Sequence, residues 1–386
     1  MEFSKRVQEV QPSATLAITS KAKLMLNNGD DVVILAAGEP DFDTPEIVKA
    51  AAIKAINEGF TKYTPAGGTV SLKEAICRKL RNENNLEYNP ENIVVSCGAK
   101  HSLYNIFQIL CDPGDEVLII SPYWLSYPEM VRLAGGIPRF LITSRENGYK
   151  AGPEDIQEAL TDRTKAVILN SPSNPAGVVY EKNELEAIAK VCVERGIKII
   201  SDEIYEKIIF DGKKHISIAI ISDEVKKSTI VVNGVSKSFS MTGWRIGYTA
   251  GGKDIIKKIQ TLQSHSTSNP CSISQKAAEC ALLTDMDAIL EANRKEFEKR
   301  RDLLMKLLDG EAKIKPFKPE GAFYLFCDIS ATGMDSMTFS EKLLAERQVA
   351  VIPGGPFGEG NSVRISFATS EKVIEEGIKR IKDWVK

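Results

Sequence analysis

One lysine of this sequence follows a run of branched apolar residues at a spacing that suits amine chemistry. Lys237 comes five residues after the Ile-Val-Val run at 230–232, whose length and branching favour a buried strand. Lys237 then lies just past a strand end, where open α/β sheets bind their ligands. A partly desolvated amine held there can form an imine with a carbonyl group, because burial favours the neutral, nucleophilic form.

Polar groups close to that lysine suit an anion. Arg245 follows eight residues later, and its fixed fork of donors fits a phosphate or a carboxylate. Ser236 and Ser238 flank Lys237 and could add hydroxyl donors to the same anion. The alternative for the whole stretch 233–248 is a surface loop with a solvated lysine and arginine.

Two acids follow another predicted strand. Asp202 and Glu203 come directly after the run IKIIS at 197–201, and burying a carboxylate without a cationic partner is costly. A partner is therefore expected. No lysine or arginine has to lie nearby, and a protonated ring nitrogen of a cofactor would serve. Tyr205, three residues after Asp202, could reach the same place.

Further candidates stand at other predicted strand ends. Gly98, Ala99 and Lys100 occupy a turn from a strand into a helix, where unpaired N–H groups and the positive end of the helix dipole favour a phosphate. Trp124 is either core or a lid over a flat ring. Asn174 lies in a segment rich in Asn, Pro and Gly, which fits a simple turn, although its amide can also donate to a ligand.

A sheet is needed to bring these residues together. Between residues 93 and 202 the short runs IVVS, EVLII, PRFLI, KAVIL and IKIIS alternate with helical segments. The pattern predicts an α/β fold with a mostly parallel central sheet flanked by helices. One helix is predicted from Val70 to Asn84, and another begins after Thr44, its expected cap. The C-terminal part, with Arg364 in a strand pattern, predicts a smaller α+β unit.

Composition and charge exclude several classes of function. The 386 residues include 50 lysines and arginines against 52 acids, a balance that argues against a nucleic-acid binder. The N-terminus lacks the apolar core of a signal peptide and no run is long and apolar enough for a membrane helix, so a cytoplasmic protein is expected. The 7 cysteines and 3 histidines lack the spacing of metal ligands or of a Ser-His-Asp triad, and no metal is predicted.

Taken together, the motifs resemble a known family. The segments are AGEPDF, TKYTPAG, DPGDEV, SPYW, SYPEMV, SDEIYE, MTGWRIGY and GAFY, and the likeness covers nearly the whole chain from the PSAT segment onward. They resemble the fold type I pyridoxal-phosphate aminotransferases of class I, in particular the bacterial aspartate aminotransferases of the Thermus type. The expected division is an N-terminal arm with part of the small domain at 1–46, a large pyridoxal-phosphate domain at 47–283, and a small C-terminal domain at 284–386.

The resemblance implies roles for the residues that hold pyridoxal 5'-phosphate. Lys237 is expected to be the Schiff-base lysine, with Asp202 paired to the pyridinium nitrogen and Tyr205 as a further catalytic residue. Trp124 stacks on the ring, and Asn174 shares the phenolic oxygen with Tyr205. The residues that hold the phosphate are Gly98, Ala99, Lys100, Ser236, Arg245 and, from the second subunit of a homodimer with shared active sites, Tyr63.

The resemblance also implies how substrates bind. Arg364, helped by the Gly38 backbone and Asn174, clamps the substrate α-carboxylate, and Trp124 also lies against the substrate. Enteric and animal aspartate aminotransferases use an arginine for the distal carboxylate, and Ser264 stands at that position here. In the resembling subgroup a lysine and a threonine do this work, and they correspond to Lys100 and Thr15.

The expected reaction is transamination of an L-amino acid with a 2-oxo acid by a ping-pong mechanism, with aspartate and 2-oxoglutarate as the first candidates. Alanine, aromatic, kynurenine and prephenate specificities are alternatives, although Gln11 stands where prephenate-accepting relatives carry a lysine. A pyridoxal-phosphate lyase is a further alternative, because such enzymes share the cofactor residues. A cofactor-sensing regulator is not expected, since the chain has no room for a DNA-binding domain before its first helix.

Overall fold

A computed structural model describes residues 3–386 of the protein. The helices described, in chain order, are α1 Lys5–Gln8, α2 Ala14–Asn27, α3 Glu46–Asn57, α4 Val70–Asn84, α5 Ala99–Leu110, α6 Ser126–Leu133, α7 Pro153–Ala159, α8 Lys182–Glu194, α9 Asp223–Ser228, α10 Lys253–Ser266, α11 Ser272–Leu283, α12 Asp287–Leu307, α13 Ser336–Arg347 and α14 Glu371–Val385. The strands are β1 Val33–Ile34, β2 Ile93–Ser96, β3 Glu116–Ile120, β4 Ile137–Leu141, β5 Thr164–Asn170, β6 Lys198–Asp202, β7 Thr229–Gly234, β8 Gly247–Ala250, β9 Lys315–Phe317, β10 Tyr324–Asp328, β11 Val349–Ala350, β12 Ile352–Pro353 and β13 Ser362–Ser366.

A seven-stranded sheet forms the centre of the molecule, in the order β2-β8-β7-β6-β5-β3-β4. The pairs β3–β4, β3–β5, β5–β6 and β6–β7 are parallel, and β8 runs antiparallel to both of its neighbours. Apolar side chains on both faces are covered by helices, which is how parallel sheets bury their strands. The predicted α/β fold with a mostly parallel central sheet is confirmed.

The central strands end at one edge of this sheet. In β5 and β6 the register pairs Asn170 with Asp202, and in β6 and β7 it pairs Asp202 with Val232. All six residues of β7 are buried, so the chain leaves the core only after Gly234. Lys237 therefore lies beyond the carboxyl end of the sheet, as the apolar run before it predicts.

Two smaller sheets stand apart from the large one. The four-stranded sheet has the order β12-β13-β10-β9 and is antiparallel throughout, and it carries Arg364 in β13. In the other, β1 pairs in parallel with β11, so that Val33 lies opposite Val349 and the N-terminal segment meets the C-terminal one. The domain boundaries after residues 46 and 283 stay a prediction.

The helix predictions are confirmed except at one cap. Helix α4 spans the predicted residues, and its N-cap Thr69 accepts a hydrogen bond from Leu72 N. Thr44 does not cap α3, whose N-cap is Pro45 and has no side-chain hydrogen bond. The Thr44 hydroxyl instead donates to the Ser240 carbonyl and accepts from Trp244 Nε1, so a tertiary donor takes the place of the backbone N–H of the helix. Within residues 3–386 no helix has the length and apolar character needed to cross a bilayer.

A buried polar network fixes the segment after β6. The Glu203 carboxylate is 1% exposed and accepts hydrogen bonds from the hydroxyls of Ser201 (2.9 Å) and Ser217 (2.5 Å). His215 Nε2 lies 3.1 Å from its other oxygen. The partners of this acid are therefore two hydroxyls and an imidazole rather than a lysine or an arginine.

A second buried acid of the same segment has a full cationic partner. Glu206 contacts the buried Lys79 ammonium and accepts from Asn84 Nδ2 at 2.8 Å. Burial opposes ionisation of Glu206, yet Lys79 brings its pKa down to about 2. Glu203, Glu206 and His215 could offer ligand atoms within 4.8 Å of one another. Their oxygens are already engaged by these donors, and the lysine ammonium competes with any cation.

We expect Lys79→Met to lower the midpoint of thermal unfolding strongly, because it leaves the Glu206 charge buried without a partner, at a cost of about 3–5 kcal/mol. The double variant Lys79→Met with Glu206→Gln should recover much of the loss. Lys190→Met serves as the control, since Lys190 and Glu194 form an exposed pair with atoms 4.0 Å apart. Equal destabilisation by Lys79→Met and Lys190→Met would contradict the role of the buried pair.

Candidate active site

A cavity of about 290 Å³ opens at the carboxyl edge of the large sheet, between that sheet and the four-stranded sheet. It brings together most of the residues predicted from the sequence. Those that line it are Thr15, Gly38, Ala99, Lys100, Trp124, Asn174, Asp202, Tyr205, Ser236, Lys237, Arg245 and Arg364. Gly98 lies behind the wall next to Ala99. Tyr63 does not reach this cavity and is 92% exposed.

Lys237 stands at the floor of the cavity. Its Nζ donates to the Gly38 carbonyl at 2.5 Å, which links the large sheet to the N-terminal segment. Burial and, to a smaller extent, the nearby Arg364 charge lower the pKa of this amine to about 8. About a tenth of the amine is therefore neutral at pH 7, and the neutral form is the one that acts as a nucleophile or a base.

Asp202 faces the cavity from the end of β6 and is held by hydrogen bonds. Its Oδ2 accepts from the Tyr127 hydroxyl at 2.6 Å, and its Oδ1 accepts from Ile204 N at 3.3 Å. Burial raises its pKa to about 6, although the Tyr127 donor and the Lys237 charge act in the opposite direction. Among residues 3–386 no lysine, arginine or histidine forms an ion pair with it, so the cationic partner expected from the sequence is not supplied by the described chain.

The turn into α5 depends on two glycines. Gly98 has φ 88°, and a Cβ there would lie 2.4 Å from Arg245 Nη2. A Cβ on Gly247 would lie 2.2 Å from Ala99 N, so β8 can pass behind the helix start only without a side chain. The first turn of α5 therefore presents unpaired N–H groups beside the guanidinium of Arg245, which suits a phosphate.

Arg245 and Ser236 complete that turn. Arg245 itself has a left-handed backbone, with φ 56°. Its side chain donates to the Thr242 carbonyl at 2.9 Å and to the Cys97 carbonyl at 3.2 Å, and these contacts aim the fork at the start of α5. Ser236, the first hydroxyl residue after β7, lines the same side of the cavity.

Arg364 is a buried cation that has no anionic partner in the part of the chain that the structure describes. It is 2% exposed, and its fork donates to Asn174 Oδ1 at 3.0 Å and to the Ala36 carbonyl at 3.3 Å, while its Nε has no partner in residues 3–386. The other buried arginines, Arg300 and Arg301, each pair with a carboxylate. A carboxylate from a ligand would satisfy the charge that the chain leaves open.

Another part of the cavity wall carries a second cation, Lys100, and the hydroxyl of Thr15. Lys100 Nζ lies 4.9 Å from the centroid of the Trp124 ring, and partial burial followed by the Arg245 charge lowers the Lys100 pKa. The buried Thr15 Oγ1 has no hydrogen-bond partner in the described chain. Within the described chain no carboxylate pairs with Lys100 and no hydrogen-bond partner engages the Thr15 hydroxyl, so both are open to a ligand.

Two residues that hold the site, Tyr127 and Tyr324, were missed in the sequence, whereas a third, Asn170, directly follows the predicted strand KAVIL, where a side-chain amide is a useful donor. Tyr127 holds Asp202, Tyr324 contacts Tyr205 hydroxyl to hydroxyl at 2.8 Å, and Asn170 donates to the Asp202 carbonyl at 3.0 Å. Tyr127 and Tyr324 are parts of the motifs SYPEMV and GAFY, which was the signal available. Their contacts are with residues 75 and 119 positions away, beyond the reach of local patterns.

This arrangement defines a lysine-based enzyme on a mostly parallel α/β sheet. A family model described as aminotransferase class I and II matches residues 30–381. The chain belongs to that family and is a pyridoxal-phosphate-dependent aminotransferase.

Among its relatives, the chain is similar to several aspartate aminotransferases. It is 53% identical to that of Bacillus sp. (strain YM-2) over 389 residues, covering 100% of this chain and 99% of the relative. It is 50% identical to that of Bacillus subtilis (strain 168) over 390 residues, with coverage of 100% and 99%. The structure of aspartate aminotransferase from Thermus thermophilus with maleate superposes with a TM-score of 0.96, at 44% identity and 99% coverage of each chain.

The buried Asp202 makes the pH dependence of the cofactor-free protein predictable. Its pKa is raised in the folded state, so its contribution to stability is present below the unfolded value near 4 and is lost as the pH rises through about 6. Asp202→Asn cannot ionise. We therefore expect the cofactor-free variant to unfold at a higher temperature than the parent at pH 8, by a free-energy gain of about 3 kcal/mol.

The gain in the free energy of unfolding that Asp202→Asn brings should be smaller at pH 5, where the parent carboxyl is largely protonated. Thermal unfolding monitored by circular dichroism at both pH values measures it, with the exposed Asp162→Asn as the control. A variant that is less stable than the parent at pH 8, or a gain that is equal at both pH values, would show that Asp202 is not a buried ionised group.

Proposed function

We propose that this aminotransferase is a homodimer of the cytoplasm that transfers the amino group of L-aspartate to a 2-oxo acid, with 2-oxoglutarate as the expected acceptor. The observation that carries the proposal is Arg364, a buried guanidinium that pairs with no acid of the described residues and faces the same cavity as Lys237. A substrate α-carboxylate is the simplest anion that fits its fork. The site residues keep the roles predicted from the sequence.

The cavity fits pyridoxal 5'-phosphate. The turn at Gly98 and Ala99, with Ser236 and Arg245, offers backbone N–H groups, a hydroxyl and a guanidinium to the phosphate. Asp202, which lacks a cation in the described chain, offers its carboxylate to a protonated ring nitrogen. When bound, the cofactor supplies an electron-accepting ring for the breaking of bonds at the substrate α-carbon.

The other ring contacts come from two polar side chains and one indole. Tyr205 and Asn174 line the cavity and offer a hydroxyl and an amide to the ring oxygen. Trp124 has the flat surface on which a ring can stack, and its edge-to-face contact with Tyr127, at 5.4 Å between centroids, fixes its orientation.

The chain's own residues bind the substrate and move its proton. Arg364 and Asn174 hold the α-carboxylate, which fixes the α-carbon over the Lys237 amine. Because burial lowers the Lys237 pKa to about 8, the free amine can take a proton from that carbon and return it to a neighbouring atom at neutral pH. A second oxo acid uses the same contacts in the reverse direction, which gives ping-pong kinetics.

The preference for aspartate rests on the opposite wall. Lys100 and Thr15 offer a charge and a hydroxyl to a second carboxylate, and partial desolvation strengthens such a contact. The relative from Thermus thermophilus has a structure with maleate, a four-carbon dicarboxylate of the size of aspartate. Alanine, aromatic, kynurenine and prephenate specificities remain the alternatives, and a dicarboxylate is favoured because Lys100 is free to meet it.

The homodimer is proposed because one phosphate ligand is missing from the protomer. The Tyr63 side chain is almost fully exposed and lies outside its own cavity. Its expected place is the phosphate site of the partner subunit, where its hydroxyl would donate to a phosphate oxygen. If each subunit places its Tyr63 in the phosphate site of the other, each active site depends on both subunits.

Arg364→Lys tests the proposed reaction. Lysine keeps the charge but loses the bidentate fork, and we expect kcat/KM for aspartate to fall by about 100- to 1,000-fold. Donors and oxo-acid acceptors are assayed with the purified holoenzyme, and Arg145→Lys, whose guanidinium contacts only backbone carbonyls outside the cavity, is the control. Unchanged kcat/KM in Arg364→Lys would contradict the clamp, and release of an oxo acid with ammonia in the absence of an acceptor would identify a lyase.

Lys100→Ala tests the substrate preference. We expect it to raise KM for aspartate about tenfold more than KM for alanine, because alanine has no distal carboxylate. Lys150→Ala is the matched control, since Lys150 also lies near an aromatic ring, that of Tyr180 at 5.5 Å, but outside the cavity. Equal effects on both amino acids would assign Lys100 to the phosphate site instead.

A further inference from the structure

Tyr324, the first residue of β10, lies between Tyr205 and Arg364 and contacts both. Its hydroxyl oxygen is 2.8 Å from the Tyr205 hydroxyl oxygen, and the Arg364 guanidinium lies 4.1 Å from the centroid of its ring. The β10–β13 register pairs Tyr324 with Ser366 and Phe326 with Arg364. Tyr324 and Arg364 are therefore diagonal neighbours on one face of the small sheet, and strand pairing fixes their contact.

The two tyrosine hydroxyls are buried and both keep their hydrogen. Tyr324 is 1% exposed and Tyr205 is 3% exposed, and burial raises the pKa of each above its usual range. Only one hydrogen can lie between two hydroxyl oxygens, so one tyrosine donates and the other accepts. In residues 3–386 the Tyr324 hydroxyl has no hydrogen-bond partner besides Tyr205.

Both tyrosines line the cavity, so the direction of this hydrogen bond follows from the proposed role of Tyr205 as a donor. The hydrogen of Tyr324 has the Tyr205 oxygen as its acceptor. Tyr205 lines the cavity, and its own hydrogen can turn toward a bound group there. A hydroxyl has one hydrogen, so a Tyr205 that donates to Tyr324 has none left for a bound group, whereas a Tyr205 that accepts from Tyr324 keeps its hydrogen for that group.

We propose that Tyr324 is a positioning residue whose hydroxyl donates to Tyr205 and thereby turns the Tyr205 hydrogen toward the ring oxygen of the cofactor. The inference rests on the proposed role of Tyr205 as a donor to that oxygen. In this proposal Tyr324 acts through Tyr205 rather than on the reacting atoms. It removes the freedom of the Tyr205 hydroxyl to rotate, and a donor that is itself an acceptor gives a stronger hydrogen bond.

A second function of Tyr324 belongs to its ring rather than to its hydroxyl. The ring faces the Arg364 guanidinium, and a cation is attracted to such a face. The same side chain thus supports the residue that binds the substrate carboxylate and the residue that contacts the cofactor. Removing the hydroxyl alone should affect the cofactor contact, and removing the ring as well should affect carboxylate binding.

The visible absorption of the holoenzyme, titrated against pH, tests the hydroxyl role, because it reports the proton equilibrium at the nitrogen of Lys237 that joins the cofactor. A weaker donor at the ring oxygen leaves more negative charge there, so the nearby nitrogen holds its proton more tightly. We expect Tyr324→Phe to raise the titration midpoint by about half to one pH unit. Tyr180→Phe, which removes a buried hydroxyl that accepts from Ala151 N outside the cavity, should leave the midpoint unchanged.

A double-mutant cycle separates the proposal from a general structural effect. If Tyr324 acts through Tyr205, then adding Tyr324→Phe to Tyr205→Phe should produce no further shift. An equal shift in both backgrounds, or no shift in Tyr324→Phe alone, would overturn the proposal. So would a shift of the same size in Tyr180→Phe.

Steady-state kinetics separate the hydroxyl from the ring. We expect Tyr324→Phe to lower kcat about 3- to 10-fold with KM for aspartate nearly unchanged, and Tyr324→Leu to raise KM as well. A rise of KM in Tyr324→Phe equal to that in Tyr324→Leu would overturn the division of roles. A parent protein that takes up no pyridoxal phosphate would instead overturn the proposed function, whereas a parent with normal uptake and a Tyr324→Phe variant without a shift would remove only the role of Tyr324.

Discussion

Parallel pairing of β5, β6 and β7 is the constraint on which the site depends. Carboxyl ends of parallel strands meet at one edge of a sheet, and the register sets Asn170 beside Asp202 there. A slip of one residue would turn the Asp202 side chain to the other face of the sheet. The register is strongly specified, because every residue of β7 and nearly every residue of β6 is buried between layers of helices.

Charge explains how the two sheets work together. The large sheet supplies Asp202 and Lys237, and the small sheet supplies Arg364. Arg364 is one of the causes of the lowered Lys237 pKa, because its positive charge disfavours the protonated form of Lys237 in the same cavity. An anion bound at Arg364 relieves that repulsion, which gives a physical reason for a site that takes substrates with a carboxylate.

Hydrogen bonds from tyrosines complete the site where ion pairs are absent. Tyr127 holds Asp202 from α6, and Tyr324 holds Tyr205 from β10. Both donors are neutral, so they orient their partners without cancelling a charge. The Asp202 carboxylate can therefore pair with a cationic group of a ligand. The buried hydrogen bonds of Glu203 and Glu206 hold the segment that follows β6 and carries Tyr205.

The sequence by itself determined the strands, their mostly parallel sheet and the chemistry-bearing residues at the strand ends. Short runs of branched apolar residues favour buried strands, so Lys237 and Asp202 could be placed from local pattern alone. Arg364 could be recognised only as a strand residue, and its role came from the resemblance. Its lack of an anionic partner is visible only once β13 and the large sheet are packed together.

Only the tertiary structure decided which side chains form hydrogen bonds with one another. Thr44 binds the Ser240 carbonyl rather than capping a helix, and Tyr127 and Tyr324 reach acceptors on distant segments. Hydrogen-bond partners depend on distances of a few tenths of an ångström between elements far apart in the chain. The periodicity of apolar residues and the presence of turn-forming residues do not encode such distances, because they reflect only the preferences of residues that are close in the sequence.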